Sequence, residues 1–157
     1  MAEAKIELLR RMPAFGGLAP TVIDWIYDQS SVIAAAPGEY FFHEGDPGES
    51  LFVLQSGTVL VTRNRSGESI ELGRLRQGDC FGEMALIDFR PRSATVVAET
   101  DCQAIEVPRQ SLAALYQQDV QQYAIIMMNL GREVSRRLRI ADDCLFDLQY
   151  RGLMPTV

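Results

Sequence analysis

The chain has 157 residues, of which 47% are hydrophobic, 23% charged and 8% aromatic, and it carries a net charge of −6. That length and balance fit one folded domain and exclude both two full domains and a disordered chain. The excess of acid gives no global field for polyphosphate, and a single histidine, His43, excludes a metal site built on several imidazoles and weakens most hydrolase readings.

Residues 3–30 read as short helices, with Ile6, Leu8 and Leu9 in one and Val22, Ile23, Ile26 and Tyr27 in another that starts at Pro20. Trp25 sits among these apolar neighbours as a core residue. From about 31 to 108 the pattern changes to short β-branched or alternating segments: 31–36, 39–42, 51–55, 58–63, 69–75, 93–98 and 102–107. Turn formers such as Pro37-Gly38, Gly45-Asp46-Pro47-Gly48 and Gln77-Gly78-Asp79 separate them. Seven or eight short strands at this spacing predict a sandwich, roll or barrel without βαβ units. His43 falls in one of the turns.

Between Cys80 and Ser93 the strand pattern gives way to Phe81-Gly82-Glu83-Met84-Ala85-Leu86, a short helix opened by a glycine. Gly82 lets a ligand approach the backbone, and the amides of Glu83, Met84 and Ala85 have no partners inside such a helix. Free amides at a helix start suit an anion. Arg92 follows, before Ser93, Ala94 and Thr95, and a guanidinium there suits bidentate contact with a phosphate. Glu83, an acceptor beside an anion site, suits a ligand that also offers a hydroxyl, such as a ribose. Singly, these residues have ordinary explanations as a salt bridge, a turn glycine and a solvated acid. Together inside a β-roll they point to a ligand, because a buried Arg–Glu pair without one is costly.

Past Pro108 the chain reads as helix: a short one from Arg109 to Tyr116, then a long one capped by Asp119. Tyr123, Ile126, Met127, Leu130, Val134, Leu138, Ala141 and Leu145 form one apolar stripe along it. The stripe lies either on the protein's own β-core or in a two-helix dimer seam. Met127 and Met128 are expected to fill the gap between helix and roll.

Cys80, Cys102 and Cys144 form no Cys-x-x-Cys pair and suit a reducing cytoplasm. No apolar run approaches the roughly 18 residues of a membrane span, and the first residues lack a signal peptide's character. A cytoplasmic protein without a membrane span is expected.

Phe81-Gly82-Glu83-Met84-Ala85-Leu86 and Arg90-Pro91-Arg92-Ser93-Ala94-Thr95-Val96 resemble the phosphate-binding cassette of cyclic nucleotide-binding domains. The stretches His43–Leu54 and Ser56–Val59 resemble that family's glycine-marked hairpin, and Met12-Pro13-Ala14-Phe15 with Gly17-Leu18 resembles its helical entry. The resemblance implies a mainly β fold with flanking α: an eight-stranded β-roll, or jelly roll, holding a short phosphate-binding helix between N-terminal helices and a long C-terminal helix. It implies a domain over 1–145, with helices in 1–30, the roll in 31–108 with its cassette at 80–96, helices in 109–145, and a short tail in 146–157.

The resemblance also implies roles. Glu83 accepts the ribose 2′-hydroxyl, Phe81, Gly82, Met84 and Ala85 line the ribose-phosphate, and Arg92 pairs with the cyclic phosphate. Ser93 and Ala94 border the phosphate or the base, and Asp142, just past Arg136-Arg137-Leu138, reaches the purine. The ligand is expected to be cAMP, with cGMP as the alternative, and no cofactor or metal is called for. Residues 109–157 hold six basic and five acidic residues and so offer no basic recognition helix.

The expected function is therefore that of a stand-alone cyclic-nucleotide receptor, not an enzyme, which signals by repositioning its C-terminal helix. Its partners would be the nucleotide, a second copy through that helix and an unidentified effector protein, without direct nucleic acid binding. Two alternatives stand beside it: an interaction module with an unused pocket, and the sensor part of a larger transcription regulator.

Overall fold

A computed structural model describes residues 2–153, so the last four residues of the expected tail lie outside the described residues. Helix α1 (Ala2–Arg11), a 3-10 turn (Pro13–Phe15) and α2 (Pro20–Asp28) lead into strands β1 (Ser31–Ala35), β2 (Tyr40–Phe42), β3 (Ser50–Ser56), β4 (Thr58–Arg65) and β5 (Glu68–Arg76). Then follow β6 (Cys80–Phe81), α3 (Glu83–Asp88), β7 (Thr95–Ala98), β8 (Cys102–Pro108), α4 (Arg109–Gln118) and α5 (Val120–Tyr150). The eight strands form two antiparallel four-stranded sheets, ordered β1-β8-β3-β6 and β2-β7-β4-β5, which is the expected roll. The strand that the sequence pattern leaves out is β6. It has only two residues, pairs Phe81 with Phe52 and Cys80 with Val53, and is too short to show a period.

Strand β3 explains why the roll and the helices form one body. All its residues except Ser56 are buried, so it reads as a continuous apolar run and not as an alternation. Its alternate side chains serve two cores. Leu51 and Val53, with Ile105 and Val107 of β8, face the helices and meet Leu9, Phe15, Ile26, Leu112, Ile126 and Leu130. Phe52 and Leu54 point the other way, into the roll, with Val59, Phe81, Val96 and Ala104. Complete burial of such a side chain is worth about 1.5–3 kcal/mol.

The long helix starts where expected: the Asp119 carboxylate accepts from the Gln122 amide at 3.1 Å. Its first part is stitched to the N-terminal entry, since Asn129 donates to the carbonyls of Ala14 (3.2 Å) and Gly16 (2.8 Å). Ile126 and Leu130 are buried, and Tyr123 and Met127 pack beside them. Met128 does not share the gap with Met127. It is exposed, because one residue along a helix turns the side chain by about 100°. The helix also runs on to Tyr150, five residues past the expected end at 145, and no residue of α5 beyond Leu130 is buried.

Candidate functional site

The chain leaves β6 at Phe81 and must turn sharply to enter α3. Gly82 makes the turn in the left-handed region (φ 80°), and no other residue fits: a Cβ there would lie 2.5 Å from Arg92 Nη1 and 3.2 Å from the Ser50 carbonyl. This close approach brings the Arg92 guanidinium against the backbone. Its Nη1 donates to the Gly82 carbonyl and its Nη2 to the Ser50 carbonyl, both at 2.9 Å. The guanidinium carbon stands 4.1 Å over the centre of the Phe42 ring, and Phe52 lies behind at 5.8 Å. Arg92 is only 5% exposed, and its Nε is buried without a partner.

Glu83 opens α3 at 3% exposure. Arg137 of α5 reaches across to it, with Nη1 at 2.8 Å from Oε1, and Nη2 donates to the Cys80 carbonyl at 2.5 Å. The second oxygen, Oε2, is buried with nothing to accept. Glu133 holds Arg137 from below through Nε at 2.9 Å. Burial raises the Glu83 carboxyl above its ordinary pKa, against the pull of Arg137. Burial likewise lowers the Arg92 guanidinium, against the attraction of Glu106. Beside them, burial and the Glu83 charge push the Cys80 thiol up to about 12.

These groups border a narrow, partly open cleft of about 100 Å³. Phe81, Gly82, Glu83, Met84, Ala85, Arg92, Ser93 and Ala94 all line it. The Ser93 hydroxyl leans on the Met84 sulfur at 3.7 Å. The remaining walls are Phe42, Val61, Leu75 and Val96, with Arg137 at the helix side. Two cations and one carboxylate leave the lining with one net positive charge, the complement of a monoanion. Among the described residues no His, Cys, Asp and Glu cluster suits a metal.

Asp142 is not among the lining residues. It lies five residues beyond Arg137, which rotates it about 140° round the helix and moves it about 7.5 Å along. Within one chain it is an exposed residue outside the cleft lining. Sequence reasoning also passed over Arg137 and Phe42. Arg137 carried a signal, since it follows Glu133 by one helical turn. Phe42 carried none, since its place under Arg92 follows from a register shift between Tyr40 and Phe42 in the β2–β7 pairing.

A profile of the cyclic nucleotide-binding domain family matches residues 32–119. The chain is 33% identical over 135 residues to a cyclic AMP receptor protein of Thermus thermophilus, covering 85% of this chain and 61% of that protein. It is 38% identical over 93 residues to a cAMP-dependent protein kinase regulatory subunit of Hypocrea atroviridis, 59% of this chain and 19% of the subunit. The chain thus spans about three fifths of the first relative and one fifth of the second. Among solved structures, the Thermus thermophilus catabolite activator protein superposes with a TM-score of 0.75 at 33% identity, over 88% of this chain and 63% of that one.

Proposed function

The chain belongs to the cyclic nucleotide-binding domain family, and we propose that its cleft is a receptor site for a cyclic purine nucleotide, cAMP in preference to cGMP. The observation that carries this reading is that two ionic residues lining the cleft, Arg92 and Glu83, each hold a buried polar atom without a partner, Nε and Oε2. Buried polar atoms without partners are costly, and a ligand that offers an anionic oxygen to one and a hydroxyl to the other removes both costs. A cyclic phosphate joined to a ribose offers both, and its single negative charge balances the lining. The apolar walls support adenine, since a guanine edge brings more polar groups that need partners. The names of the relatives, a cyclic AMP receptor and a cAMP-dependent kinase subunit, support the same ligand.

The protein is a receptor and not an enzyme on this reading, and α5 is its output. Arg137 grips the cassette from α5, so a ligand that engages Glu83 changes what Arg137 holds. The far half of α5 offers Leu138, Ala141, Leu145 and Leu148 at alternating three- and four-residue steps, the spacing of a two-helix seam. A second copy of the chain is the partner that fits. In a parallel pair, Asp142 of one copy faces Arg137 of the other, which returns the aspartate to the mouth of a cleft.

Titration calorimetry with cAMP and cGMP tests the site. Arg92→Ala should weaken cAMP roughly 30-fold or more, the effect of about 2 kcal/mol when one side of a buried charged contact is removed. Equal binding by Arg92→Ala would overturn the site. A preference for cGMP of about tenfold or more, some 1.4 kcal/mol, would overturn the choice of base.

A further inference from the structure

Arg109 opens α4, yet its side chain serves the cassette. Its Nη2 donates to the carbonyls of Gly48 and Ala85, the latter at 3.0 Å. Its guanidinium carbon lies 5.0 Å over the ring of Phe89, and its backbone amide donates to the Glu49 carbonyl at 2.8 Å. Its Nε is buried without a partner. Among the described residues no carboxylate forms an ion pair with it. A cation that trades water for two carbonyls and a ring, without an ion pair, is there to fix geometry.

The two carbonyls belong to segments that touch. A Cβ on Gly48 would fall 2.0 Å from the Ala85 Cβ, so the loop before β3 and the middle of α3 meet with no side chain between them. The ring is placed at some cost: Phe89 ends α3 with a positive φ of 57°, rare for a residue with a side chain, and stays 73% exposed. In that conformation it covers the guanidinium. Helix α3 is therefore held at its first residue by Arg137 of α5 and at Gly82 by Arg92, while Arg109 of α4 holds its far side.

We infer that Arg109 is a positioning residue: it sets α3 in place for the anion and carries any movement of α3 into the first turn of α4, and so towards α5. The second half of this statement rests on the nucleotide reading above. The latch itself exists without ligand, which allows the two to be tested apart.

The test is hydrogen exchange on the full chain, with and without cAMP, together with a cAMP titration. In Arg109→Met, the amides of residues 86–90 should exchange on the order of tenfold faster without ligand while those of 51–55 stay unchanged, and cAMP should bind on the order of tenfold more weakly. The change in protection over 109–118 that cAMP produces in the unaltered protein should disappear. Arg109→Lys keeps a donor for the carbonyls and loses the planar stack, and Phe89→Ala removes an exposed ring without touching a core, so both should fall between. These two carry the test if Arg109→Met does not fold. Unchanged exchange at 86–90 and an unchanged α4 response would overturn the inference, as would equal loosening of 51–55, the mark of a general structural role. If the unaltered protein shows no response to cAMP while Arg109→Met still loosens 86–90, the nucleotide reading falls and the latch stands.

Discussion

The two halves of α5 have the same apolar spacing and different surroundings. From Val120 to Arg137 the stripe lies on the helical core, and Ile126 and Leu130 are fully buried there. From Leu138 to Tyr150 the same spacing covers nothing among the described residues, and Leu138, Leu145 and Leu148 are 60%, 45% and 39% exposed. Periodicity thus tells which face of a helix is apolar and leaves open what covers that face. The halves meet at Arg137, whose guanidinium is fixed by Glu83 of the cassette and Glu133 of its own helix. One half packs on the core, the other is uncovered surface, and the cleft sits at the joint.

Three substitutions probe that division, and the largest effect belongs to the near half. Leu130→Ala should lower the unfolding free energy by about 2–5 kcal/mol, independent of protein concentration, because it opens a cavity in a closed core. Chemical denaturation at two protein concentrations checks this, and a small or concentration-dependent loss would erase the distinction between the halves.

Glu83→Gln acts at the joint. Losing a charged acceptor should weaken cAMP by roughly 10- to 150-fold, equivalent to about 1.5–3 kcal/mol. It also has a pH signature. The folded carboxyl has a raised pKa, so the stability it contributes is present below the ordinary carboxylate range and is lost as pH rises through the raised value. Relative to the unaltered protein, Glu83→Gln should therefore gain stability as pH goes from acid to neutral, measured by denaturant midpoints across that range. A difference that stays flat with pH would mean that the carboxyl is not strained in the fold.

The far half should respond least in stability. Leu145→Asp should change the free energy of the single chain by less than about 0.5 kcal/mol, as surface changes do. Its effect should appear instead in association, as a shift towards monomer in analytical ultracentrifugation. A large loss of monomer stability would show that the far half is covered by its own chain after all.

The sequence made the roll and the cassette legible for a physical reason. Gly82 is forced by a close approach, Glu83 and Arg92 lie on either side of a turn, and short strands with glycine breaks leave a local trace. What stayed hidden depends on contacts distant in sequence. Arg137 reaches Glu83 from fifty-four residues away, and Phe42 arrives under Arg92 through a register shift. Asp142 follows Arg136-Arg137-Leu138 closely in sequence, yet helical rotation turns it off the face that Arg137 uses, and sequence neighbours alone do not show that.

The double burial of β3 has a mechanical meaning for the cleft. A strand paired on both edges, with β6 and β8, and packed on both faces exposes its amides only when the whole domain opens. Arg92 is fastened to the first carbonyl of that strand, at Ser50. On the proposed nucleotide reading, the guanidinium that meets the anion is thus mounted on a strand closed on both edges and both faces. On that reading, a displacement produced by ligand is expected on the opposite bank of the cleft, in α3 and the helix that reaches over it.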